Sequence, residues 1–382
     1  MEQTNNSGRD AIFNRLDELF PAGLDLEFGH GSSSDSGAEA PSTEQIGTAK
    51  AISANTSDKD YRRLVAHRNV TSFSKTETLH NCPRLFELEM YRSAKSVQEG
   101  ISEDGQDNMD FAFGHAVGSG IQTYGATKSL VAAQFAAFLA WKAPWDAEKV
   151  DKRDIPTGKS LAWAMHAIEK FVYFYERELS EWEVVLLPNG KPGVEVSFGV
   201  DTQNGFYHFG HIDTILQHKE SKRLAVWEGK TTGFATVDDA MYGNSYQALG
   251  YGVVVDAITK VMNLPAADYE VFYITYSSKE REFIFLPFTK SLTQRAEWLQ
   301  DLLLTHATID KYQELKFFPK RGSNCINRYG RRCEWYGTCQ MRNASLFPKT
   351  ELPVLDAAML PNVKSVDFMF TLDELVAAQK ER

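Results

Sequence analysis

Two short segments constrain this chain more than any others: Gly210-His-Ile-Asp213-Thr-Ile-Leu216 and Leu224-Ala-Val-Trp227-Glu228-Gly-Lys230. Both have strand length and are rich in β-branched or aromatic residues, yet each sets charge inside an apolar run. Unpaired buried charge is expensive, so such charges are tolerated where they meet one another or a ligand. Strand side chains alternate, which puts Glu228 and Lys230 on one face. The short turn after Leu216 brings the Asp213 strand alongside. Two carboxylates and an amine then converge on one sheet. Hard oxygen ligands of this kind suit Mg²⁺ or Mn²⁺, and Lys230 beside them can orient an attacking water and neutralise charge growing on a phosphate. Ordinary strand-end charges, with Lys230 paired to one acid, are the alternative.

The surrounding pattern supplies a mixed α/β fold. Strands are expected at Val194–Val200, Phe206–Leu216 and Leu224–Thr231, with Asn204-Gly205 as a hairpin turn between the first two. Two more strands are expected at 271–276 and 282–288. Helical spacing marks 111–124, 128–142, 160–182, 238–257 and 290–314. Ser74-Lys-Thr-Glu77 reads as a capping box opening a helix to Tyr91, with Cys82-Pro83 as a start or kink. Gln247 and Tyr251, four apart on the helix after the second charged strand, share a face; Asn244 is expected there too. They can hold a nucleic-acid strand or a metal-bound water, or simply form an exposed helix face.

The ends differ from the middle. Residues 1–60 read as a short amphipathic helix (Ile12, Phe13, Leu16, Leu19, Phe20) followed by a Ser/Gly/Ala/Thr-rich linker too poor in apolar residues to offset its ordering entropy. Residues 346–382 read as a tail, with Thr371-Leu-Asp-Glu374 capping a short final helix. The domain between, 61–345, has a helical part at about 111–190 and a sheet at about 193–290. Apolar residues make up 43% of the 382 and the net charge is −10, which suits a globular protein and disfavours one that coats nucleic acid by charge alone. No run reaches the length of a membrane span, and MEQTNNSGRD carries no secretory pattern, so a cytoplasmic protein without a membrane partner is expected.

Four cysteines are too few for a disulfide scaffold. Cys82 stands alone, and Cys325, Cys333 and Cys339 follow within the region 325–339. A thiolate quartet suits an iron–sulfur cluster or structural zinc; four unrelated buried thiols are the plainer alternative. Arg328, Arg331 and Arg332 with Tyr329, Trp335 and Tyr336 lie among them, a composition that serves backbone contact and base stacking or a solvated loop.

Taken together, Asp213, then Glu228-x-Lys230, then Gln247-x-x-x-Tyr251 resembles the motif series of the PD-(D/E)xK nuclease superfamily, in its RecB-like exonuclease branch. The resemblance spans about residues 70–345. It implies a restriction-endonuclease-like core, a central mixed sheet flanked by helices, with a helical insertion. It also implies a metal-dependent DNA nuclease, an exonuclease of recombination, repair or defence in a bacterium or phage, working with DNA and a separate helicase or recombination protein. Asp213, Glu228 and the Gly229 carbonyl would hold Mg²⁺ or Mn²⁺, and Glu195 would be an auxiliary acid. The branch usually carries a metal-facing histidine where this chain has Gly118; His115, one turn earlier, is the candidate substitute. The placement of Cys82 before the motifs and the other three after them is similar to the iron–sulfur nucleases of the branch, CRISPR-associated and AddB-type. It implies a [4Fe–4S] cluster joining the N- and C-terminal segments, with zinc left open by the longer Cys325–Cys333 gap. A catalytically inactive DNA-binding or assembly module on the same fold is the second expectation.

Overall fold

A computed structural model of the chain describes residues 69–99, 109–141, 159–266, 268–326, 332–340 and 366–380. The expected N-terminal helix and linker, Arg328, Tyr329 and Arg331 lie outside the described residues. In chain order the elements are β1 (Val70–Ser72), α1 (Phe73–Asn81), α2 (Pro83–Glu99), α3 (Met109–Thr127), α4 (Leu130–Ala140) and α5 (Leu161–Glu178). Then come β2 (Trp182–Val184), β3 (Val194–Asp201), β4 (Tyr207–His218), β5 (Leu224–Thr232), α6 (Ala240–Gly243), α7 (Tyr246–Val261), β6 (Tyr269–Ser277) and β7 (Glu282–Lys290). The chain continues through α8 (Leu292–Glu314), α9 (Tyr336–Gln340), β8 (Phe368–Thr371) and α10 (Leu372–Lys380).

The strands form one mixed sheet in the order β7-β6-β5-β4-β3-β8, with β1 and β2 also on β4. Gly205, at φ +88°, turns the β3–β4 hairpin where Asn204-Gly205 signalled it. Alternation along β5 divides the core. Ala225 and Trp227 face α3 and α5, while Leu224 and Val226 face α7, α8 and α10. Cys82 breaks the first helical stretch, and the extended Ser72 rather than Ser74 is the cap: its hydroxyl accepts from the Lys75 amide. The helix expected at 238–257 is likewise two, divided before Ser245, which caps α7 by accepting from the Ala248 amide.

The C-terminal segment corrects the reading of a tail. β8 pairs in parallel with β3, Phe198 against Phe368 and Val200 against Phe370, and α10 buries Leu372, Leu375 and Val376 in the α7–α8 core. Asp256 accepts from both Arg295 and Gln379, at 2.5 Å each, tying α7, α8 and α10 through a buried ion pair. The Thr371–Glu374 capping box is formed as the sequence indicates. Among the described residues no helix is long and apolar enough to cross a membrane.

The topology places the cleft. β4 carries β3 along one edge, while its other edge pairs with β1 at Tyr207–Phe209 and with β5 at Thr214–Gln217. Residues 210–213 lie between the ends of these two ladders. A cleft of about 610 Å³ opens there, walled by β1 and α1 on one side and by β5 and α7 on the other. Gly210 sits at its floor because a Cβ there would lie 2.6 Å from the Phe198 ring and 2.8 Å from that of Phe73.

Candidate active site

Asp213, Glu228, Lys230, Gln247 and Tyr251 all line this cleft. Asp213 lies one residue beyond the last β4–β5 pair, Thr214–Trp227, where the strands part. Its Oδ2 accepts the Gly229 amide at 2.9 Å, a backbone donor freed by that parting. Glu228 is 1% exposed. Lys230 donates to its Oε1 at 2.5 Å, and its Oε2 is buried without a hydrogen-bond partner. Tyr251 donates to the His211 carbonyl, on β4 between the β1 and β5 ladders, and accepts from Gln247, both at 2.5 Å.

Burial and crowding of like charge set the protonation of the cluster. Burial, then the neighbouring Asp213 charge, push the Glu228 carboxyl up to about 8 despite Lys230. Asp213 is raised by burial, against the pull of Lys230 and the Gly229 amide. Burial pulls the Lys230 ammonium down, but the Glu228 and Asp213 carboxylates outweigh it and hold its pKa above the usual lysine range. Burial, reinforced by the two carboxylates, keeps the Tyr251 phenol neutral.

Glu195 joins the acids from β3. It adopts φ +50°, in the left-handed region, where the regular alternation of the strand is interrupted. Gln122 of α3 donates to its Oε1 at 2.7 Å. Although Glu195 keeps solvent access, crowding by protein atoms and the Asp213 charge push its carboxyl up to about 7. Gln122 was not legible beforehand, because only tertiary packing brings α3 against β3. His115 is corrected: it is exposed on α3 and does not line the cleft. Gly114 is the residue whose Cβ would meet β5, 3.4 Å from Thr231 Oγ1, and a side chain at Gly118 would find open space.

Among the described residues, no group of three or more His, Cys, Asp or Glu side chains already stands arranged to hold a metal ion. The donor chemistry nevertheless fits a hard divalent cation. Asp213 and Glu228 are oxygen donors on adjoining strands, and the orphaned Glu228 Oε2 is a buried acceptor awaiting a positive partner.

The four cysteines line a second cavity of about 130 Å³, far smaller and mostly apolar. The Cys333 amide donates to the Cys325 carbonyl at 2.8 Å, which brings the two ends of the gap together. Burial and the other three sulfurs together hold the Cys333 thiol above its usual range. The fold thus sets Cys82 on the same cavity as the other three, although the four sulfurs do not stand arranged as a metal-holding group. Asn324, just before Cys325, donates to the Asn81 carbonyl, and Asn81 lines the large cleft, so the two cavities adjoin through α1.

Residues 70–340 match the model of the PD-(D/E)XK nuclease superfamily. No curated protein matches the chain. Among solved structures, a candidate exonuclease from Eubacterium rectale is 12% identical with a TM-score of 0.42, over 78% of this chain and 96% of that one.

Proposed function

Because this chain belongs to the PD-(D/E)XK nuclease superfamily, we propose that it is a metal-dependent deoxyribonuclease, an exonuclease hydrolysing phosphodiester bonds in DNA. One observation carries the reading: Asp213, Glu228 and Lys230 meet in the gap that β4 leaves between β1 and β5. Asp213, Glu228 and the Gly229 carbonyl would hold Mg²⁺ or Mn²⁺. The cation, when bound, supplies Lewis acidity at the phosphate and a more acidic water. Lys230 keeps its charge, so its ammonium can position the attacking water and neutralise charge developing on phosphorus oxygens. Gln247 bonds Tyr251, and Tyr251 ties α7 to β4, which holds that wall of the cleft against the strand. Glu195 is an auxiliary acid held by Gln122.

The cysteine quartet would hold a [4Fe–4S] cluster, with zinc as the other thiolate-bound group; its convergence from both ends of the matched region supports the cluster as a pin. Recombination, repair or defence as the process, a bacterial or phage source, a cytoplasmic location and a separate helicase belong to the same proposal. An inactive DNA-binding module is the second reading, favoured by the exposed His115 and opposed by retention of all three charged residues. Cleavage of linear single- and double-stranded DNA by anaerobically purified protein with Mg²⁺ or Mn²⁺, beside Lys230→Ala, separates them. Cleavage by wild type alone supports the nuclease; equal cleavage by both sinks this site. Binding without cleavage by either establishes the module.

A further inference from the structure

We propose that the residues flanking the later cysteines, Lys320, Arg321, Ile326, Arg332 and Tyr336, form a docking strip for single-stranded nucleic acid that leads into the carboxylate cleft; this rests on the nuclease reading and extends it to the path of the substrate. A chain with net charge −10 repels a polyanion, so contact must be local, and exposed cations gather beside the later cysteines. Lys320, Arg321 and Arg332 are exposed there, while the nearby Glu334 is neutralised by Arg92 at 2.8 Å. The region is a built surface. Ile326 bridges to Arg332, and the Arg332 guanidinium lies 5.0 Å from the Tyr336 ring centroid. Lys320 donates to the Cys339 carbonyl.

Apolar faces accompany the charge: Ile326 is 61% exposed, and the Tyr336 ring is partly exposed. Cations that meet phosphates beside rings that can stack on bases are the chemistry of single-strand binding, since a duplex hides its bases. The strip is joined to the cleft. Asn324 holds the C-terminal end of α1 through Asn81, and the same helix face, with Ser74, Glu77 and His80, walls the cleft beside Asp213. Nine helical residues span about 13 Å, so a strand following α1 reaches both the cations and the carboxylates.

The experiment is fluorescence anisotropy of the full-length protein, cysteine site loaded, with a labelled single-stranded DNA oligonucleotide, titrated over salt without added Mg²⁺ or Mn²⁺. Each single-strand phosphate contact contributes about 0.7 to the log–log salt slope. Arg321→Glu with Arg332→Glu should lower the slope by about 1.4, so that raising salt from about 50 to about 200 mM weakens binding about sevenfold less than in wild type. Tyr336→Ala should weaken binding with the slope kept. Lys222→Glu, in the β4–β5 turn at the far end of β5, makes the same charge change away from the strip and should alter neither. If Arg332→Glu loses bound metal or lowers the melting temperature, Arg321→Glu alone must still lower the slope by about 0.7. An unchanged slope in these variants, or an equal change in Lys222→Glu, overturns the strip. Mg²⁺-dependent cleavage by wild type is scored separately, so a strip that binds without cleavage overturns only the nuclease, and cleavage with an unchanged slope overturns only the strip.

Discussion

Replacing Glu228 by Gln should stabilise the metal-free protein while abolishing cleavage. The carboxyl is 1% exposed and stands at about 8 in the fold against 4.5 in its ordinary state. At about 1.4 kcal/mol per pH unit between 4.5 and 7, holding it costs on the order of 3 kcal/mol at pH 7. Glutamine keeps the shape and removes that cost, and its carbonyl still accepts from Lys230, in a bond weaker by about 1–2 kcal/mol. The net is a gain of about 1–2 kcal/mol, which for a domain of this size raises the melting temperature by roughly 2–4 °C. A raised carboxyl contributes stability that is whole below pH 4.5 and lost as pH climbs to about 8. Wild-type melting should therefore fall between pH 5 and pH 8 more steeply than that of Glu228→Gln; Glu195, raised to about 7, acts in the same direction in both proteins. Mg²⁺ at ten times its dissociation constant should restore about 1.4 kcal/mol to wild type and little to the variant. The assay is scanning calorimetry with and without chelator across this pH range. A lower melting temperature for Glu228→Gln at pH 7 would refute the reasoning, because the buried charge would then be a structural asset rather than a strain held for a ligand.

Two further outcomes bear on other parts of the molecule. Tyr251→Phe removes the donor to the His211 carbonyl and the acceptor for Gln247, and should cost about 1–2 kcal/mol in denaturant unfolding; an unchanged midpoint would mean that water replaces the phenol without loss. Cys82→Ser should lower the iron or zinc found per chain and also the melting temperature, since Cys82 is the quartet's link to α1. Metal content equal to that of wild type would exclude Cys82 as a ligand.

Much of this was legible in local pattern. The period-two runs, Asn204-Gly205 and the two-residue spacing of Glu228 and Lys230 depend on backbone geometry that each segment carries with it, and the strands stand within a few residues of where that pattern put them. The i, i+4 spacing likewise placed Gln247 and Tyr251 on one helix face. What local pattern could not supply was contact between distant segments. The β1–β4 pairing joins residues about 136 apart, and the contact of Asp367 with Ser197 beside β8 spans 170. Neither leaves a mark on its neighbours in sequence, so β8 read as a tail and the gap at 210–213 did not read at all. His115 failed for a related reason. Helical spacing fixes which residues share a face, whereas the docking of α3 decides which face meets the sheet: it set Gly114 against Thr231 and Gln122 against Glu195. The sequence by itself determined the strands, the chemistry they carry and the four thiols. Tertiary structure alone decided where the β1 and β5 ladders on β4 end, and therefore where those groups meet, because strand order and helix docking arise from the burial of surfaces that no single segment contains.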